Sequence, residues 1–178
     1  IKEVLSISND LVREEHTVEV LERELHHRVG NTLQLVSALL AMQCDCVEDT
    51  EVRAIAAEAE SRIHTLAAVF ADTLAQTGYN VVNFANCVQS IAIDPSISSR
   101  TTVKVDIERD FELRLDLAMP VGLIVNESLL SVARRNPNDA GSRPNELPVT
   151  TVDLQRSDSG RFRLVISSDS TTLPNGPT

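Results

Sequence analysis

The stretch ELHHRVGNTLQLVSALLAMQ, residues 24–43, forms the centre of a helix predicted over residues 1–46. No proline interrupts this segment, and after Val18 its apolar residues recur at spacings of three and four. Such spacing is typical of a helix with one buried face. Gly30 is its weakest point, since a mid-helix glycine costs about 1 kcal/mol relative to alanine. The predicted face comprises Leu11, Val18, Leu21, Leu25, Val29, Leu33, Val36 and Leu40.

A second helix is predicted from a turn at residues 47–50 to about Gln76. Asp49 or Thr50 is suited to cap its start, and Gly78 to end it. Two long helices joined by a short turn form an antiparallel hairpin, and one hairpin cannot cover its own apolar face. We therefore expect two copies to pair into a dimeric four-helix bundle. The second apolar face comprises Val52, Ile55, Ala59, Ile63, Leu66, Phe70 and Leu74.

Beyond Tyr79 the pattern changes to a small α/β layer of about four strands and two helices. The fold class is therefore α+β, with a helical hairpin at residues 1–78 and an α/β domain at residues 79–178. Residues 94–101 are expected to be a loop, and Pro120 to stand near the start of its helix. The predicted helices span residues 83–93 and 120–135, and the predicted strands span residues 103–107, 111–115, 149–154 and 161–166.

Composition narrows the class of partner. The 178 residues carry a formal net charge of −10, so nucleic acid and anionic membranes are poor partners. No apolar run approaches the ~18 residues that a membrane span needs, and no secretory signal is visible. Three cysteines, an odd number, argue against a disulfide framework and fit a reducing cytoplasm.

The same central stretch places two histidines, an arginine and an asparagine on one helix. A neutral imidazole is a nucleophile near neutral pH, and Arg28 is suited to steady phosphate oxygens. Residue types alone leave a second interpretation open, because a histidine pair on a charged helix is commonly just a solvated surface. Glu24 either orients His27 or pairs with Arg28. Adjacent helical histidines point ~100° apart, so no metal site is predicted.

This stretch resembles the phosphoacceptor helix of the HisKA_2/HWE class of bacterial sensor histidine kinases, which typically reads E-[IL]-x-H-R-V-K-N-x-L-Q. Gly30 stands where that class usually has lysine. The resemblance implies that His27, rather than His26, is the phosphoacceptor. It extends through RIHTLAAVFADTL, residues 62–74, and through VGLIVNESLLSVARR, residues 121–135, which is similar to the N-box helix of the family's ATP-binding domain. The matching positions are Glu24, Leu25, His27, Arg28, Val29, Asn31, Leu33 and Gln34.

The departures from the family pattern concern the nucleotide. Asn126 and Glu127 remain in the N-box, but Ser131 stands where an asparagine would hold Mg²⁺ and phosphates, and a hydroxyl is a weak substitute for an amide oxygen. In the later D-x-G-x-G motif, Ser168 replaces the adenine-binding aspartate, and Asp169 lies one position out of register. Both glycine positions hold hydroxyl side chains, Ser170 and Thr172. The resemblance thus implies a degenerate GHKL (Bergerat-like) domain that binds no ATP.

A phosphorylatable hairpin followed by an ATP-incompetent domain is similar to the dimeric histidine phosphotransferases of bacterial phosphorelays. We therefore expect a cytoplasmic two-component protein that passes a phosphoryl group between receiver-domain aspartates through a phosphohistidine at His27. No cofactor is expected in this chain, since the receiver would bring Mg²⁺. Two alternatives remain: an ATP-dependent kinase fragment of the same family, and a non-catalytic adaptor that binds response regulators.

Overall fold

The computed structural model describes residues 2–44, 48–73, 80–135, 147–157 and 161–169. Its first part is a pair of long helices, α1 (Lys2–Cys44) and α2 (Thr50–Thr73), which pack against each other as a hairpin. Asp49 caps α2, because its Oδ1 accepts hydrogen bonds from the backbone N–H groups of Glu51 at 2.8 Å and Val52 at 3.3 Å. The predicted hairpin is confirmed, while the expected helix ends near residues 46 and 76 lie outside the described residues.

The second part is a small α/β layer. Strands β1 and β3 pair antiparallel, while the larger sheet has the order β2–β4–β5, in which β2 and β4 are parallel and β4 and β5 antiparallel. The elements in chain order are β1 (Val81–Asn83), α3 (Phe84–Ala92), α4 (Pro95–Ser98), β2 (Thr102–Ile107), β3 (Glu112–Arg114), α5 (Leu115–Arg135), β4 (Val149–Arg156) and β5 (Phe162–Ser168).

Three local predictions need correction. Helix α5 begins at Leu115, so Pro120 lies inside it rather than near its start. Burial explains the earlier beginning, since Leu115 and Ala118 are core residues. Within the expected loop at 94–101, Asp94 caps the short helix α4 by accepting a hydrogen bond from Ser96 N at 2.8 Å. Strand β1, which follows residues 74–79, was not predicted; its three residues are too few for a recognisable alternation.

Helix α2 contributes to the core of the α/β layer. Val69 is fully buried in the same apolar cluster as residues of α3, α5 and β4, such as Phe84, Leu129 and Val152. Gly122 of α5 faces it, because a Cβ built there would lie 3.5 Å from Val69 Cγ2. The hairpin and the α/β layer therefore share α2. The boundary expected at residue 78 lies outside the described residues and stays a prediction.

Helix α5 also bears on the membrane expectation. Within the described ranges it is the one helix whose length and apolar composition would suffice for a membrane span. Such a helix was not expected, because the prediction rested on uninterrupted apolar runs. The apolar character averaged over 18 residues can be high even when a few of them are charged. Core helices of soluble proteins can be equally long and apolar, and 44% of the most apolar 18 residues of α5 are buried inside the protein.

Candidate functional site

The two adjacent histidines of α1, His26 and His27, lie on different faces of the helix. His26 is half-buried, and its ring centroid lies 5.8 Å from that of Phe70 on α2, with the ring planes tilted by 49°. His27 is exposed, and its Nδ1 lies 3.2 Å from Nδ2 of Asn31, one turn later. Consecutive helical residues point ~100° apart, so only one imidazole can face the solvent fully. The structure brings His27 and Asn31 together and turns His26 toward α2.

Glu24 and Arg28 form a separate pair beside the histidines. Arg28 Nε donates to Glu24 Oε1 at 2.8 Å. This hydrogen bond and the guanidinium charge hold the pKa of Glu24 below its ordinary value. Of the two roles left open for Glu24, the structure has the ion pair with Arg28. Both side chains are largely exposed, so the pair adds little to stability.

Asn126 and Glu127, the two residues of α5 that keep the N-box pattern, contact α2. Ser61 Oγ donates to Oδ1 of the fully buried Asn126 at 2.9 Å, while Asn126 Nδ2 has no hydrogen-bond partner among the described residues. The guanidinium of Arg62 binds both carboxylate oxygens of Glu127, with Nη2 3.2 Å from Oε2. Hydrogen bonding to Arg62 lowers the pKa of Glu127. Nearby, Arg134 pairs with Glu58 at 2.8 Å.

The other described positions predicted for a degenerate nucleotide site lie on α5 and at the end of β5. Ser131 lies half-buried on α5, one turn beyond Glu127. Ser168, at the end of β5, accepts a hydrogen bond from Thr150 Oγ1 at 3.3 Å, and Thr150 in turn lies 2.8 Å from Thr101 Oγ1. Asp169 is exposed, in keeping with its shifted register. Ser170 and Thr172 fall outside the described residues.

Sequence reasoning missed the α2 partners of these residues. Ser61 and Arg62 carry no local signal for contacts with residues far away in sequence. The small side chain of Gly122 was the available hint, because glycine inside a helix commonly marks a close approach of another element. A Cβ at Gly122 would lie 3.5 Å from Thr65 Cγ2 on α2.

Comparison with known proteins agrees with this architecture. Residues 24–96 match the HisKA_2 family model, described as a histidine kinase, and this confirms the HisKA_2 resemblance over that segment. The histidine kinase domain of the Erythrobacter litoralis EL346 blue-light activated histidine kinase has a similar fold, with a TM-score of 0.52 and 16% identity over 91% of this chain and 74% of that chain. No curated protein matches the chain.

Proposed function

We propose that this protein is a histidine phosphotransferase of two-component signalling, in which His27 carries the phosphoryl group between receiver-domain aspartates. The observation that carries the proposal is the exposure of His27 beside Asn31, within the segment that matches HisKA_2. A rigid helix presents the imidazole to solvent, where a partner domain can reach it. His26 is packed against Phe70 and is a poorer acceptor.

The transfer step needs only a nucleophile from this chain. The lone pair of a neutral imidazole nitrogen attacks phosphorus, the N–P bond forms, and the P–O bond to the receiver aspartate breaks with its electron pair left on the carboxylate. For Nε2 to attack, Nδ1 of His27 carries the proton and donates a hydrogen bond to Oδ1 of Asn31. The Asn31 amide is then turned by 180° from the orientation in which its Nδ2 lies 3.2 Å from Nδ1. Arg28 follows His27 on α1 and pairs with Glu24. We assign it the role of binding the phosphate oxygens, for which its guanidinium would leave Glu24.

The contacts of α5 support a role without ATP. Ser131 stands at the position of the Mg²⁺-binding asparagine and offers only a hydroxyl. The amide oxygen of the asparagine that remains, Asn126, accepts a hydrogen bond from Ser61 inside the core. Glu127 is likewise neutralised by Arg62. Ser168 takes part in a chain of hydroxyl groups at the end of the sheet rather than supplying a carboxylate for adenine. The residues present therefore do not fit a Mg-nucleotide, and no step is assigned to one.

The apolar surface of the hairpin supports a homodimer. Several residues of the predicted buried faces are exposed in the single chain, including Leu21 at 63%, Leu25 at 61% and Ile55 at 61%. Burying each such side chain contributes about 1.5–3 kcal/mol. A second copy that packs its α1 and α2 on this surface completes a four-helix bundle, and the partners are then a second copy and receiver domains in the cytoplasm. The α/β layer is the degenerate GHKL domain of this assignment.

The test compares two phosphoryl donors. We expect a receiver domain charged with radiolabelled acetyl phosphate to label the protein, and Mg-ATP labelled at the γ-phosphate to leave it unlabelled. His27→Ala removes the acceptor nitrogen, so the label from the receiver should disappear. Full label in His27→Ala would contradict the assignment of the acceptor, and label from ATP would identify a kinase.

The matched control is His26→Ala, which alters the adjacent imidazole on the same helix. It should retain label at His27. Equal binding of the receiver by the wild type and by His27→Ala, without label in either, would instead identify a non-catalytic adaptor. Circular dichroism and size-exclusion chromatography verify that each variant keeps its helices and its oligomeric state.

A further inference from the structure

We propose that Phe70 of α2 is a positioning residue, which sets the rotation of α1 so that His27 rather than His26 receives the phosphoryl group. The proposal rests on the proposed function for its biological meaning, but its geometry concerns only which imidazole is presented. The sequence places two candidate acceptors side by side, and a rotation of α1 by one residue step would exchange their environments.

Two pairs of residues on α1 define neighbouring faces. His26 and Gly30, four residues apart, both meet Phe70, while His27 and Asn31, also four apart, are exposed. His26 and Gly30 therefore form the contact with α2. Because His27 and Asn31 lie on the neighbouring face of α1, that contact leaves them exposed to solvent. Any side chain that keeps the first face against α2 keeps the second face outward.

Gly30 makes the approach to Phe70 close. It is buried, and a Cβ built at Gly30 would lie 3.5 Å from Phe70 Cβ and 3.9 Å from Ala71 N. With no side chain at this position, the backbone of α1 rests directly on α2. The aromatic ring of Phe70 then fills the space on the His26 side. The contact between Gly30 and Phe70 requires a small residue on α1, because a bulky side chain at position 30 would displace Phe70.

Phe70 is itself held by the α/β layer. It packs against the main apolar cluster, whose member Val69 is its neighbour in sequence. At the end of α2, Asp72 accepts hydrogen bonds from the Asn83 backbone N–H and from Asn86 Nδ2 at 3.0 Å. This end of α2 is fixed by the α/β layer, so the layer has a role in the chemistry without binding nucleotide. It holds the residue that orients the histidine helix.

The experiment measures the site of phosphorylation with potassium phosphoramidate, a small donor whose phosphorus–nitrogen bond breaks to release ammonia as the histidine N–P bond forms. It needs no receiver, so it is independent of the test of the proposed function. The full chain is treated as wild type, Phe70→Ala and Phe70→Leu, and the phosphate at His26 and at His27 is quantified separately by mass spectrometry. Phe162→Ala is the control, because it removes an exposed phenylalanine from β5.

We expect the wild type and Phe162→Ala to carry several-fold more phosphate on His27 than on His26. In Phe70→Ala the excess should fall toward equal labelling, with an intermediate ratio in Phe70→Leu, while circular dichroism shows retained helix. An unchanged ratio in folded Phe70→Leu, or equal labelling of both histidines in the wild type, would overturn the proposal. The protein could show the predicted change in the ratio of His27 to His26 labelling and still accept no phosphate from receivers. That result would overturn the proposed function alone.

Discussion

Gly30 illustrates how one residue serves the fold against its own helical propensity. Glycine costs about 1 kcal/mol in a helix interior relative to alanine. Here that cost accompanies a buried contact with Phe70, in which the backbone of α1 lies on α2. The HisKA_2 pattern usually has lysine at this position, so the chain differs from it where α1 and α2 touch next to the histidines.

A substitution series at Gly30 tests this contact. The nearest atom to a new Cβ is 3.5 Å away, an ordinary van der Waals distance, so Gly30→Ala should fit and raise the free energy of unfolding by up to about 1 kcal/mol. Gly30→Leu must displace Phe70 and should lower it by about 1–3 kcal/mol. Urea unfolding followed by circular dichroism measures both. A destabilised Gly30→Ala would show that the helices are closer than described.

At the scale of elements, the joint between α2 and α5 combines a buried hydrogen bond with ion pairs on its rim. Ser61 and Asn126 meet in the interior, and Arg62 meets Glu127 where both side chains are partly exposed. Loss of the buried hydrogen bond should destabilise the fold more than loss of the ion pair, because an unpaired polar group in the core bears its full desolvation cost.

A double-mutant cycle measures the buried bond. Ser61→Ala leaves Asn126 Oδ1 without its donor and should cost about 1–3 kcal/mol of unfolding free energy. Adding Asn126→Leu removes the stranded amide, so the double variant should be more stable than the sum of the two single changes. The matched control is Ser128→Ala, because the Ser128 hydroxyl donates a hydrogen bond within its own helix, to Ile124 O at 2.7 Å. Strictly additive costs would contradict the coupling.

The ion pair on the rim predicts a pH dependence. Arg62 lowers the pKa of Glu127 from its ordinary value of 4.5, so the carboxylate stabilises the folded state above about pH 4.5. That contribution is lost as the pH falls through the lowered folded pKa. Glu127→Gln should therefore be less stable than the wild type at pH 7, by under about 1 kcal/mol because the pair is partly exposed.

The measurement compares urea unfolding of both proteins at pH 7 and at pH 3. The difference between them should shrink at the lower pH, because protonation of the wild-type carboxyl increasingly removes the charge that pairs with Arg62. Glu108→Gln removes one exposed carboxylate elsewhere and serves as the control. A difference that is the same at both pH values would show that the Glu127 charge contributes nothing.

At the scale of the whole molecule, the exposed apolar side chains of the hairpin favour a dimer over a monomer. Within one chain, α2 has one face on α1 and another on the α/β layer, yet apolar side chains at the turn end of the hairpin stay exposed, among them Leu39, Met42 and Val52. An apolar surface of this kind is unusual on a stable monomer, and a second hairpin would cover it.

A charged residue on this surface tests the dimer. Ile55→Glu places a carboxylate on the exposed face of α2 and should weaken self-association, which light scattering after size-exclusion chromatography detects as a lower mass. Ile124→Glu is a matched control, because Ile124 is similarly exposed, at 56%, but belongs to α5 rather than to either helix of the hairpin. A wild-type protein that elutes as a monomer at high concentration would contradict the four-helix bundle.

Periodicity made the hairpin and the hairpin-like pairing of β4 and β5 predictable, because helical and strand repeats are local properties of the chain. Capping chemistry likewise limited the cap of α2 to Asp49 or Thr50, and the structure has Asp49. The early start of α5 and the existence of β1 were not predictable, since both depend on burial against residues distant in sequence. For the same reason Pro120 was misleading, as its preference for a first turn gave way to the burial of Leu115 and Ala118.

The sequence alone determined that an imidazole stands on a long helix within a HisKA_2-like segment, since that information resides in residue identity and spacing. Only the tertiary structure decided which imidazole faces outward, because the rotation of a helix depends on what packs against it. It also decided that Asn126 and Glu127 turn to Ser61 and Arg62, as hydrogen bonds across 65 positions arise from the packing of two helices and leave no trace in either segment.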